Sequence, residues 1–215
     1  MRIVGLVDYG MGNLGSVVNA FERLGVACDL CRTPEDLDTV SGIVLPGVGA
    51  FHAAMENLRS RGLDRALTRR VVDEGAPFLG ICLGLQLIAQ DSTELGFSQG
   101  LGWIEGHVVR MEPADGHPIP HVGWNEVRHV PPAPLFERVA DDAHFFFDHS
   151  YSLQCPSDLV AATCEYGGSW VAAVARDNIQ AVQFHPEKSQ RKGLRLLRNF
   201  LRFVDRRTGG VGVAC

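Results

Sequence analysis

The 215-residue sequence has no apolar run of the roughly 18 residues that a membrane-spanning helix needs, so no such helix is expected. It has no excess of basic charge. The formal net charge is −5, whereas a nucleic-acid binder is usually basic, so neither a nucleic acid nor a membrane is expected as partner. It has no cysteine framework either. Its six cysteines, Cys28, Cys31, Cys82, Cys155, Cys164 and Cys215, are scattered along the chain, which is the pattern of reduced thiols in a cytoplasm. Cys28 and Cys31 have the spacing of half a redox or zinc site. There is no second pair at a suitable distance, and on a strand residues three apart face opposite ways. The histidines do not fall at metal-ligand spacing. Gly10-Met-Gly-Asn-Leu-Gly15 has the G-x-G-x-x-G spacing, which on its own is a weak signal for a nucleotide. Neither a metal nor a nucleotide cofactor is expected. The apolar segment from Met1 to Val7 breaks at Asp8, too short for a signal peptide.

What is present is ordinary in bulk, 46% apolar and 21% charged, and informative in pattern. The length suits one domain with a full core. Residues 1–207 are expected to form it, and 208–215, without periodicity, to be a frayed tail. Residues 2–8 read as a strand. Asn13 can cap a helix whose stripe is Leu14, Val17, Val18, Phe21 and Leu24, ended by Gly25. Further strands are expected near 26–31, at 41–45 and at 77–81. Helices are expected near 50–60, 63–74 and 83–90. Strands alternating with helices imply parallel units with helices on both faces. After residue 95 come strand-like runs at 102–111, 123–130, 144–153, 158–165, 169–176 and 179–184. Hairpin turns at 166–168 and 177–178 make this half more antiparallel. A last helix at 190–204 buries Leu194, Leu197, Phe200, Leu201 and Val204, leaving a solvated arginine face. The expected fold is α/β: a central, mostly parallel sheet covered by helices on both faces, with an antiparallel extension in the C-terminal half.

Two short segments carry the chemistry. Gly80-Ile-Cys-Leu-Gly84 reads as a strand running into a helix, with Cys82 at the turn. Glycines on both sides permit tight turning and close packing. A thiol at a helix N-terminus is favoured as thiolate, the reactive form, and the Leu83 N–H is placed to receive an oxyanion. About a hundred residues later comes His185-Pro-Glu187, after the apolar strand 179–184. A strand's C-terminal end is where α/β folds place their sites. Glu187 can orient the imidazole, which can take a proton from Cys82 and return it to a leaving amine. Brought together, the three make a nucleophilic triad.

Gly80-Ile-Cys-Leu-Gly-Leu-Gln86 with His185-Pro-Glu187 resembles the class I, triad-type glutamine amidotransferases. Asp8-Tyr-Gly-Met-Gly-Asn-Leu14, Leu45-Pro-Gly-Val-Gly-Ala-Phe51, Gly100-Leu-Gly-Trp103, Ile119-Pro-His-Val-Gly-Trp-Asn125, His149-Ser-Tyr151 and His185-Pro-Glu-Lys-Ser-Gln190 extend the resemblance from residue 8 to residue 190. The Trp124 and Lys188-Ser189 segments point to the histidine-pathway branch of that family. The resemblance implies that Cys82 attacks the side-chain amide carbon of L-glutamine, that His185 is the base and then the acid, and that Glu187 orients it. It implies an oxyanion hole made by the Leu83 N–H and an amide of Val48 or Gly49. Gln86, Glu94, His149, Ser150 and Tyr151 match positions that hold the substrate. The ammonia would pass to a cyclase partner, a (β/α)8 barrel in a heterodimer, that makes imidazole glycerol phosphate and an aminoimidazole carboxamide ribotide. Asn13, Trp124 and Lys188 match positions facing it. From its neighbours alone, Trp124 reads slightly better as a core residue than as an interface anchor. Ala50, where many relatives are polar, and Phe147-Asp148 depart from the family pattern.

Three other readings compete. A glutaminase subunit for another acceptor, in anthranilate or aminodeoxychorismate synthesis, is disfavoured by Lys188-Ser189 and the Trp124 segment. A γ-glutamyl peptide hydrolase on the same scaffold would act without a partner. A catalytically silent module is disfavoured by a complete set of triad residue types.

Overall fold

The computed structural model describes residues 4–114 and 116–209. The first two residues of the strand expected at 2–8 lie outside the described residues, as do the tail positions 210–215 with Cys215. In chain order the regular elements are β1 (Val4–Val7), α1 (Leu14–Glu22), β2 (Cys28–Cys31), β3 (Gly42–Gly47), α2 (Phe51–Ser60), α3 (Leu63–Thr68), β4 (Phe78–Cys82) and α4 (Leu83–Leu87). There follow β5 (Asp91–Ser92), β6 (Ser98–Gln99), β7 (His107–Arg110), β8 (His121–His129), β9 (Ala143–His149) and β10 (Tyr151–Gln154). The last are β11 (Val160–Glu165), β12 (Ser169–Arg176), β13 (Ile179–Val182) and α5 (Gln190–Thr208). A π-helical turn, Arg69–Asp73, extends α3. Among the described residues no helix is long and apolar enough to cross a membrane.

The main sheet has the order β2-β1-β3-β4-β13-β12-β11-β8-β9. The pairs from β2 through β13 are parallel and those from β13 to β9 antiparallel. Every residue of β1, β3, β4 and β13 is buried, as parallel strands covered on both faces must be. Alternation along β3 sends Ile43 and Leu45 into one core, with α2 and α3, and Val44 into the other, with α1 and α5. A second sheet, β10-β7-β5-β6, lies beyond α4.

Three expectations are corrected. The run at 144–153 is not one strand: it breaks at Ser150, with β9 pairing in the main sheet and β10 in the small one. The helix expected at 83–90 ends at Leu87. Its last carbonyls are taken by a loop instead, Leu87 accepting from Leu101 N–H, Ile88 from Trp103 and Ala89 from Gly102. That loop belongs to the run expected as strand from 102, which is strand only over 107–110.

Three adjacent parallel strands deliver the chemistry to one end of the sheet. Gly47 at the end of β3 pairs with Cys82 at the end of β4, and Ile81 pairs with Val182 at the end of β13. The chain beyond β3 carries Val48 and Gly49, and the chain beyond β13 carries His185.

Candidate active site

Cys82 joins β4 to α4 with φ 54° and ψ −107°, a conformation side-chain-bearing residues rarely adopt. The flanking glycines make the turn fit. A Cβ on Gly84 would run into the Leu45 carbonyl oxygen, and one on Gly80 would lie 2.7 Å from the Gly84 oxygen. With α4 only five residues long, the helix dipole acting on the sulfur is smaller than the longer helix promised. Side chains do more. His185 shares the cleft wall with Cys82 and interacts with it, the Gln183 Nε2 donates to Sγ at 3.7 Å, and the thiol faces the Asp148 carbonyl at 4.0 Å.

His185 is held from all sides. Its N–H donates to the Phe146 carbonyl at 2.8 Å, and its carbonyl accepts from Ser189 Oγ at 2.6 Å. Its Nδ1 lies 2.8 Å from Glu187 Oε1, with the two side chains only 3% and 2% exposed. That leaves Nε2 for Cys82. Burial works against the imidazolium, but the hydrogen bonds and charges of Cys82 and Glu187 outweigh it and hold the pKa well above the usual histidine range. The pair is arranged to keep a proton on His185 beside the sulfur.

A cleft of about 370 Å³ opens over this group. It is lined by Val48, Gly49, Cys82, Leu83, Gln86, Glu94, Pro120, Asp148, His149, Ser150, Tyr151 and His185. Every residue expected to bind substrate or form the oxyanion hole is on that wall. Glu187 stands behind His185. The Tyr151 carbonyl accepts from Gln86 Nε2 at 3.0 Å and from His149 Nδ1 at 2.9 Å. Because that nitrogen of His149 must donate, its Nε2 accepts from His121 Nδ1 at 3.2 Å, and His121 Nε2 accepts from Asn125 Nδ2 at 3.3 Å. Burial holds both imidazoles neutral, with pKa values pushed down to about 4. The nearby histidine charges add to this, while the Tyr151 carbonyl partly offsets it for His149.

Glu94 has a second task. Its Oε2 accepts from the Phe51 N–H at 2.7 Å, the first turn of α2, where Ala50 offers no side-chain cap. The carboxylate thus supplies from across the cleft the acceptor that a polar residue at position 50 would give locally.

Asn13, Trp124 and Lys188 lie apart from the cleft lining. Asn13 is exposed and accepts from the Ser16 N–H at 3.4 Å, capping α1. Trp124 is not a core residue: it is 48% exposed, because β8 near the sheet edge turns it outward. Its ring meets Phe146 edge-on at 6.1 Å, and Lys188 Nζ sits 5.3 Å from the same Phe146 ring. Sequence reasoning missed Pro120, whose bond to Ile119 is cis, and Gln183. It noted Asp148 only as a departure.

A buried thiol, imidazole and carboxylate in line at the C-terminal ends of parallel strands define a class of cysteine acyl-transfer enzymes. The family described as Glutamine amidotransferase class-I matches residues 5–203, and the chain belongs to it. Within it, the chain is 44% identical over 200 residues to the imidazole glycerol phosphate synthase subunit HisH 1 of Campylobacter jejuni (strain RM1221), covering 93% of this chain and 100% of that one. It is 45% identical over 213 residues to the HisH subunit of Moorella thermoacetica, covering 99% and 100%. These relatives place it in the HisH family. PurLQS from Thermotoga maritima shares the fold, with a TM-score of 0.74 over 94% of this chain and 99% of that chain at 16% identity.

Proposed function

We propose that this chain hydrolyses the side-chain amide of L-glutamine on Cys82 and passes the ammonia to a cyclase subunit. The cyclase would use it to make imidazole glycerol phosphate and an aminoimidazole carboxamide ribotide in histidine biosynthesis. The observation that carries the reading is Cys82 and His185 together on the wall of the cleft, with Glu187 bonded to His185 from behind. The name shared by the relatives, a synthase subunit, supports a second chain. We take that partner to be a (β/α)8 barrel bound as a heterodimer in the cytoplasm.

The chemistry follows from the protons. The Cys82 sulfur attacks the amide carbon, and the oxygen of the tetrahedral intermediate is received by the Leu83 N–H and an amide of Val48 or Gly49. The proton on His185 passes to the leaving nitrogen, the C–N bond breaks, and ammonia departs from a γ-glutamyl thioester. Water then attacks the thioester carbon and gives a proton to His185, the sulfur leaves, and glutamate is released. Glu187 keeps the ring oriented through both halves. Glu94, Gln86, His149, Ser150 and Tyr151 hold the remainder of the glutamine. Asn13, Trp124 and Lys188 face the partner, Trp124 with Phe146 as the aromatic anchor.

The test is glutamine hydrolysis by the purified chain, alone and with a cyclase subunit carrying its ribonucleotide substrate. Activation that needs the partner is the expected result. Full activity alone, unchanged by the partner, would overturn the assignment in favour of an independent γ-glutamyl hydrolase.

A further inference from the structure

Gln183 follows β13, two residues before His185, and is completely buried. Neither of its amide ends is free. Its orientation is fixed by a chain of partners that starts from a group able only to accept. The Tyr151 carbonyl must receive a proton, so the atom of Gln86 facing it is Nε2. The same Nε2 lies 3.2 Å from Gln183, whose facing atom is therefore the oxygen, Oε1. The Gln183 amide nitrogen must then point the other way, and there it meets Cys82 Sγ at 3.7 Å.

We infer that Gln183 is the neutral hydrogen-bond donor to the Cys82 sulfur, and that it ties the position of that sulfur to Gln86 on the cleft wall. The inference deepens the glutaminase reading and rests on Cys82 being its nucleophile. Negative charge reaches the sulfur twice in that reaction, when the thiol gives up its proton and when the thioester collapses. His185 loses a proton and regains one between those moments. An amide N–H does not, and so it donates to the sulfur throughout. Filling space would not need it: a buried carboxamide is costly unless both its ends are bonded, and an apolar side chain of similar size would pack there without that condition. With both Nε2 hydrogens engaged, Gln86 presents only its oxygen to a ligand. The same link therefore makes Gln86 an acceptor for a substrate N–H.

The direct test is the rate at which iodoacetamide alkylates Cys82 near neutral pH, followed by mass spectrometry of the peptide that carries it. Gln183→Glu keeps the oxygen for Gln86 and replaces the donor at the sulfur by an acceptor. Gln183→Met removes both. Loss of a charge-assisted hydrogen bond should slow alkylation by at least about tenfold in either variant. A role in packing alone would lower the melting temperature and leave the alkylation rate of the folded protein within twofold of native, which would overturn the inference. If the variants do not fold, the native protein decides. The side-chain amide resonance of Gln183 should shift when Cys82 is carbamidomethylated, and an unmoved resonance overturns the inference. Glutamine hydrolysis is read separately. A native chain that alkylates fast and never hydrolyses glutamine with its partner sinks the glutaminase reading, not the Gln183 contact.

Discussion

Cys82 occupies backbone space that is close to the mirror image of an extended strand. Glycine adopts that region freely, and any other residue pays about 1–3 kcal/mol to stay there. In the proposed reaction the sulfur is the reacting atom, which accounts for a side chain at this position. Two substitutions separate the terms. Cys82→Ala should abolish synthesis from glutamine in the complex with the cyclase and leave synthesis from free ammonia intact, since the proposed function puts the cyclisation chemistry on the other subunit. Loss of both activities in an intact complex would contradict that division. Cys82→Gly should be at least as stable as Cys82→Ala, by about 1 kcal/mol in chemical denaturation, because it relieves the positive φ. The meeting of Cys82, His185 and Glu187 was legible in the sequence because a thiol at a Gly-flanked turn and an imidazole beside Pro and Glu each stand at the end of a strand pattern. Gln183 was not. A glutamine inside Ile179-Gln-Ala-Val-Gln-Phe184 reads as one more buried strand position, and its partners, Cys82 and Gln86, are about a hundred residues away.

At the scale of elements, patterns with local punctuation were readable and those settled by a distant partner were not. α1 begins at its Asn13 cap, and β12 turns into β13 at Asp177-Asn178, as their sequences indicate. β9 and β10 are one run by composition, with no Gly or Pro at the break. What divides them is that β8 takes the first and β7 the second. α4 stops early because the 101–104 backbone claims its carbonyls, a competition no local window contains. The elbow between β4 and α4 is a close approach of backbones, and this can be measured. Gly84→Ala forces a methyl group against the Leu45 carbonyl and should cost about 1–3 kcal/mol or more. Gly15→Ala, in α1 with nothing within 4 Å of the new methyl, should instead stabilise by about 0.5–1 kcal/mol. Equal effects of the two substitutions in urea unfolding would mean that the elbow is not the tight contact described.

The whole molecule is poised around a proton balance set by burial. His121 on β8 and His149 on β9 face each other across a strand pair and sit neutral at about pKa 4, depressed by burial below the unfolded value of 6.5. Their contribution to stability is complete above about pH 6.5 and is lost as pH falls toward 4, because the unfolded chain binds protons there that the folded chain refuses. His185 has the opposite sign. Its pKa is raised, so its contribution is complete below about 6.5 and fades as pH rises toward 10. Buried and half-buried thiols continue that alkaline limb. Burial and nearby carboxylates push Cys28, Cys31 and Cys164 up to about 12 from 9, so their contribution is lost above pH 9 as the unfolded thiols ionise. Stability against pH should therefore form a dome with its top near neutrality, measured as melting temperature from pH 4 to 10. The two limbs have different owners. His121→Gln should flatten the acid limb and leave the alkaline one, since the remaining His149 keeps only part of the penalty. Cys82→Ala should soften the alkaline limb between about pH 7 and 10, because the sulfur is among the groups that hold the proton on His185. An acid limb unchanged by His121→Gln would mean that the chain from Asn125 through His121 and His149 to the Tyr151 carbonyl does not hold both rings neutral. The cleft wall would then owe its order to packing alone.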